Sequence, residues 1–263
     1  MSIPKSERVV FTRNPLKQVI CQLQFPTILR IDSELPADFQ DAIRSEYPIL
    51  RERSEQPNFP IPEEISQLLP PELKAGGRTV YDFISTDEKW VISLAHNFLA
   101  LTTGDYERWE DFRAHFEGPL TALLDTYKPA FFSRIGLRYQ NIINRAELRL
   151  GDVQWKELLK PYIAGILSPA SGLSENLVLE FKHNELIKID KERKFLVRML
   201  YGLMKEEHSQ EWLFLIDNDF FTSERVETDV VNSALGYLHD QSGHLFQWCI
   251  SERLRNALEP RTI

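Results

Sequence analysis

Cysteine is scarce: the chain has two, Cys21 and Cys249, near opposite ends. Two thiols cannot build a disulfide framework or a cysteine-rich zinc site, and both read as buried free thiols. No apolar run approaches the roughly 18–20 residues that a membrane span needs. The opening residues, from Met1 to Arg8, lack the apolar core of a signal peptide, so a cytoplasmic protein is expected. There is no tandem repeat at solenoid spacing and no low-complexity tract. Gly-x-Ser-x-Gly, Walker and Rossmann patterns are missing, and Ser171-Gly172 lacks the flanks of a nucleophile elbow. An excess of basic charge is missing too. A net charge of -8 and a pI near 5.4 argue against general nucleic-acid binding and against attraction to an anionic membrane.

What the chain does have is core-forming material. Apolar residues make up 43% of its 263 residues, with 16 Phe, 8 Tyr and 5 Trp, enough for one large domain or two intimately packed ones. Strand patterns run over residues 16–25, 79–85, 90–102 and 131–143, with a turn at Thr86-Asp87-Glu88-Lys89. Pro36 opens a short helix carrying Phe39, Ile43 and Tyr47. Residues 57–77, rich in proline, read as an irregular excursion with one helical turn near 63–69. Trp109, Phe112, Phe116, Leu120 and Leu124 mark one face of an amphipathic helix, with Gly118-Pro119 as a kink point.

Further on, a helix is expected over 155–166. Three closely joined strands follow over 176–189, 195–204 and 211–220, which predicts an antiparallel meander. A long amphipathic helix closes the chain over 227–257, bent at Ser242-Gly243. The expected fold is therefore α+β, with largely antiparallel sheets packed against long amphipathic helices. Residues 1–145 and 146–263 share a rhythm of strands followed by a helix. They read either as two pseudo-related lobes sharing one core or as one continuous sheet.

Three constellations carry chemistry. In the stretch Arg134-Ile135-Gly136-Leu137-Arg138-Tyr139, alternation puts Arg134 and Arg138 on one face, about 13 Å apart at roughly 3.3 Å per residue. Guanidinium groups bind carboxylates and phosphates in bidentate fashion, so this strand is a candidate anion or partner contact. The spacing suits two separate acids, with Asp217 and Asp219 as the internal candidates, or one extended anionic ligand. Asp217-x-Asp219 ends an apolar strand and, with His239, forms the candidate metal-dependent catalytic set. His239 and His244 are five apart, off the four-residue spacing of zincin helices, and one of the two reads instead as a core-edge histidine hydrogen-bonded to a neighbouring element. His96 reads as structural, within a strand.

Asn14-Pro15-Leu16, Tyr106, Trp109, the Arg134–Tyr139 stretch, Asp217-x-Asp219, His239 and Phe246 together resemble a sporadically distributed family of uncharacterised bacterial and archaeal proteins. The resemblance implies no particular activity. Its patchy distribution implies carriage in mobile-element or defence-related gene cassettes. The expected function is a non-enzymatic binding or accessory protein, acting with a protein partner or as a homodimer, with a small anionic ligand as a further candidate. No cofactor and no structural metal are expected. The competing expectation is a metal-dependent phosphoesterase or nuclease using Asp217, Asp219 and His239. Geometry separates the two: three convergent ligands favour the enzyme, and carboxylates paired with Arg134 or Arg138 favour the binding protein.

Overall fold

The computed structural model describes residues 3–54, 78–178, 180–190, 194–205, 211–222 and 224–262. The excursion expected over 57–77 lies outside the described residues. The fold is α+β and mostly antiparallel. Its strands are β1 (Val9–Phe11), β2 (Leu16–Gln24), β3 (Ile49–Ser54), β4 (Thr79–Ile84), β5 (Trp90–Ala95) and β6 (Phe98–Thr103). After them come β7 (Arg134–Asn144), β8 (Phe181–Asp190), β9 (Phe195–Lys205), β10 (Trp212–Thr222) and β11 (Pro260–Thr262). Nine of them form one sheet in the order β3-β4-β5-β6-β2-β7-β10-β9-β8, and β1 pairs with β11 separately.

Alternation explains how the central strands sit. In β2, Val19, Cys21 and Leu23 are buried while Gln18, Ile20, Gln22 and Gln24 are only partly covered. In β7, Ile135, Leu137, Tyr139, Asn141 and Ile143 are buried on the same face. Two long helices, α3 (Trp109–Thr126) and α6 (Val231–Cys249), lie against the sheet. Phe112, Phe116, Leu120 and Leu123 of α3 are buried; Trp109 and Leu124 are partly buried against the core. Both thiols are free and buried, as their scarcity implied.

The short helices α1 (Leu29–Ser33) and α2 (Ala37–Ile43) follow β2, and Pro36 occupies the N-cap of α2. The expected helix over 155–166 is broken into α4 (Trp155–Leu158) and α5 (Pro161–Ala164). Pro161 has no N–H to continue the ladder, and its ring excludes the carbonyl four residues back. Leu159 instead makes an isolated bridge to Ile250. The last helix also breaks elsewhere than expected. It passes Ser242-Gly243 without interruption and ends at Cys249, Ile250 being extended. Ser251 then caps α7 (Glu252–Ala257), its Oγ accepting from the Leu254 N–H at 3.2 Å. The run over 90–102 is two strands, because His96-Asn97 form a turn and place His96 at a hairpin tip rather than within a strand.

At Gly202 in β9, a Cβ would lie 2.0 Å from the Phe181 carbonyl oxygen and 2.9 Å from its carbon. Only glycine allows β8 to approach there. Gly202→Ala should destabilise the fold by about 2 kcal/mol or more, as overpacking against backbone does. An unchanged urea midpoint would show that β8 does not lie at this distance.

Candidate functional site

The two faces of the central strands carry different chemistry. On the less covered face, Arg134 Nη2 donates to both oxygens of Asp219 at 2.7 Å. Arg138 donates to Asp217 through Nε at 2.8 Å and Nη2 at 2.5 Å. Gln140 Nε2 adds a third donor to Asp217 at 3.2 Å. Both pairs are diagonal. The register sets Asp219 opposite Arg138 and Asp217 opposite Gln140, yet each arginine reaches further along β10.

Gly136 makes the first diagonal possible. A Cβ at this position would meet the Arg134 guanidinium at 2.1 Å, so the side chain lies across the glycine on its way to Asp219. The two arginines thus serve two separate internal acids. The Asp217 side chain is 4% exposed and that of Arg138 41%. The Asp217 hydrogen bond raises the Arg138 pKa against the opposing effect of burial.

The metal-dependent set is not assembled. Asp217 and Asp219 point to the arginine face, whereas His239 projects from α6 onto Tyr139, which projects from the opposite face of β7. Among the described residues, no group of three or more His, Cys, Asp or Glu side chains could hold a metal ion. The geometry therefore corrects the reading of Asp217, Asp219 and His239 as one centre.

The helix-side face carries a cavity of about 140 Å³. Asn14, Pro15, Leu16, Tyr106, Trp109 and Tyr139 line it, together with His239 and Phe246. All of these are among the residues on which the expectation of a family resemblance rests, and the fold brings them together from β2, the start of α3, β7 and α6. A bulge at the start of β2, between Leu16 and Gln18, sits beside the cavity and sets Leu16 opposite Asn141. Asn14 organises this corner: its Nδ2 donates to the Tyr106 carbonyl at 2.9 Å, and its Oδ1 accepts from the Leu16 N–H at 3.1 Å.

The floor is a neutral polar cluster. The Tyr139 hydroxyl and His239 Nδ1 are 2.9 Å apart, and the Ser242 and Tyr106 hydroxyls also interact with Tyr139. Burial pushes the Tyr139 pKa well up, so the phenol stays protonated. The Trp109 ring stacks on the imidazole at 4.6 Å and 7°. Burial, then the nearby Arg8 guanidinium, lower the His239 pKa to about 4 despite Glu110. His239 is thus a neutral imidazole at pH 7.

Opposite Tyr139 on β10, Asn218 is 1% exposed, and its amide oxygen has no hydrogen-bond partner among the described residues. An unpaired buried acceptor costs about 1–3 kcal/mol. His244 also lines the cavity, and its Nδ1 accepts the Ser6 N–H at 3.2 Å.

Asn218, Asn141 and Arg8 were not legible as site residues. Asn218 is the central residue of Asp217-x-Asp219, and strand alternation was the available signal that it faces away from both acids. No protein-family model matches this chain, and no curated protein shows significant similarity to it.

Removing Arg138 leaves the Asp217 carboxylate buried and short of a charge partner. Because the arginine is partly exposed, the expected loss lies between buried and surface pairs, about 2 kcal/mol. Arg138→Ala, Asp217→Ala and the double variant, compared by denaturant unfolding, should give a coupling energy above about 1 kcal/mol. A coupling near zero would contradict the pair.

Proposed function

We propose that this chain is a non-enzymatic small-molecule-binding protein whose ligand site is the cavity bounded by β2, β7, α3 and α6. The supporting observation is that Asn218, which lines a largely apolar pocket, has a buried amide oxygen with no hydrogen-bond partner among the described residues. Concave, mostly apolar sites with a few convergent polar groups are the usual form of ligand pockets. The Arg134–Asp219 and Arg138–Asp217 pairs support the same reading, since a carboxylate held by arginine is poorly placed to take a divalent cation. They also leave the arginine face neutralised, which weighs against a small anion as the ligand.

The wider proposal keeps the accessory role of a cytoplasmic protein encoded in a mobile-element or defence-related cassette, acting through a protein partner or a second copy. It also keeps two pseudo-related lobes. With the boundary placed ahead of β7 instead of after residue 145, each half runs strand, short helices, strands and long helix, and the order β4-β5-β6-β2 mirrors β8-β9-β10-β7 about the β2–β7 seam.

Gly243 provides a clean test. It lines the cavity from α6, and a Cβ there meets nothing within 4 Å. Gly243→Leu adds volume at the cavity wall, starting from a Cβ that clashes with nothing, and favours the helix by roughly 1 kcal/mol. After incubation with a metabolite extract, native mass spectrometry of the wild type should show one retained small molecule. Gly243→Leu should retain none. A wild type that retains nothing would remove the binding reading, and a retained molecule chemically altered from the one in the extract would favour an enzyme.

A further inference from the structure

The chemistry of the cavity restricts what it can hold. Its walls are Val10, Leu16, Trp109 and Phe246, and its floor is Tyr139, Asn141, Asn218, Ser242 and His239. No floor residue carries a formal charge at neutral pH, given the neutral His239 and the protonated Tyr139. The charged lining residues Glu7, Arg8, Glu107, Arg108 and Asp240 are all exposed at the mouth. Arg8 is already held there by both oxygens of Glu110, at 2.7 and 2.9 Å, and Arg108 by Asp111 at 2.8 Å. A charged ligand on the floor would therefore lose its water without gaining a counterion.

Size sets the second restriction. A cavity of about 140 Å³ is in the range that admits a single benzene-sized ring. The third comes from Asn218, whose oxygen lacks a donor among the described residues. Asn141 does not supply one: its Nδ2 donates to the Ile216 carbonyl at 3.3 Å and makes no hydrogen bond to the Asn218 oxygen.

Resting on the reading of this cavity as a binding site, we infer that its ligand is an uncharged, ring-sized molecule that donates one N–H or O–H to the Asn218 amide oxygen. Phenols and aromatic primary amides are the simplest members of that class. The ring packs between the apolar walls near Trp109. The donor replaces the partner that Asn218 lacks, as sites built around a hydrogen bond discriminate against analogues without one.

The test is a titration of the intact chain, followed by NMR and calorimetry, with five probes of similar size: phenol, benzamide, toluene, benzoate and benzylammonium. Phenol and benzamide should bind, and phenol should bind the wild type at least as tightly as toluene although its hydroxyl costs more to strip of water. Benzoate and benzylammonium should bind at least tenfold more weakly than either neutral donor.

Asn218→Leu keeps the branched, four-heavy-atom shape of the side chain, with more bulk, and removes the acceptor. It should lower the phenol affinity at least tenfold relative to that of toluene. If that variant fails to fold, the phenol–toluene comparison on the wild type still decides. Toluene binding tenfold tighter than phenol, or a phenol-to-toluene affinity ratio unaffected by Asn218→Leu, would overturn the donor requirement and leave the cavity a binding site. Benzoate or benzylammonium as the tightest probe would overturn the neutral class in the same way. Binding by none of the five would overturn this inference and count against the cavity as a binding site altogether.

Discussion

The antiparallel pairing of β2 with β7 is the constraint on which the rest of the structure depends. It joins the block β3-β4-β5-β6-β2 to the block β7-β10-β9-β8 in one sheet, and its register fixes which side chains face the helices. Val19 lies opposite Tyr139 and Cys21 opposite Leu137, so the buried sets of both strands fall on one side. A slip of one residue would send Tyr139 to the arginine face and bring Arg138 under α6, burying a guanidinium without its acid. The hydrophobic term that resists such a slip is large. Each fully buried Leu, Val or Phe side chain is worth about 1.5–3 kcal/mol.

From that register the two faces acquire separate roles. On one, Gly136 gives Arg134 room to cross to Asp219, and Arg138 repeats the diagonal to Asp217. These pairs bind β7 to β10 by side chains as well as by the ladder, and they account for the arginines within the fold. On the other face, Tyr139 and Asn218 stand side by side on β7 and β10, and α6 brings His239 down onto the Tyr139 hydroxyl. The cavity exists because Trp109 and Phe246, arriving from two helices, wall this polar floor without filling the space above it.

Much of this was readable from local patterns. Alternation in the Arg134–Tyr139 stretch placed both arginines on one face, and their spacing called for two separate acids rather than one. The meander of β8, β9 and β10 followed from apolar runs with short polar connectors. Less was readable where long-range geometry decides. The grouping of Asp217, Asp219 and His239 treated nearness in a functional pattern as nearness in space, whereas strand alternation sends the acids to the face away from α6. Asn218 was passed over because an asparagine between two aspartates looks like a spacer. Its role depends on what the opposite face of the sheet meets, which no local pattern reports. Breaks at Pro161 and Ser251 had sequence signals that the apolar periodicity on either side overrode.

The ionisation of His239 is the most direct measure of whether the cavity floor is the dry, uncharged surface described above. Its imidazole is desolvated, stacked on Trp109, bonded to Tyr139, and faced by Arg8 and Glu110, with burial the largest influence. A side chain so placed is protonated in the unfolded chain below about pH 6.5 but resists protonation in the folded one. Folding stability is then fully present above that value and falls as the pH drops toward the folded midpoint, before levelling off. Titration of the His239 ring resonances by NMR should give a midpoint near 4. A midpoint at the ordinary histidine value of about 6.5 would mean that water and charge reach the floor freely, and would contradict the account of a neutral binding cavity.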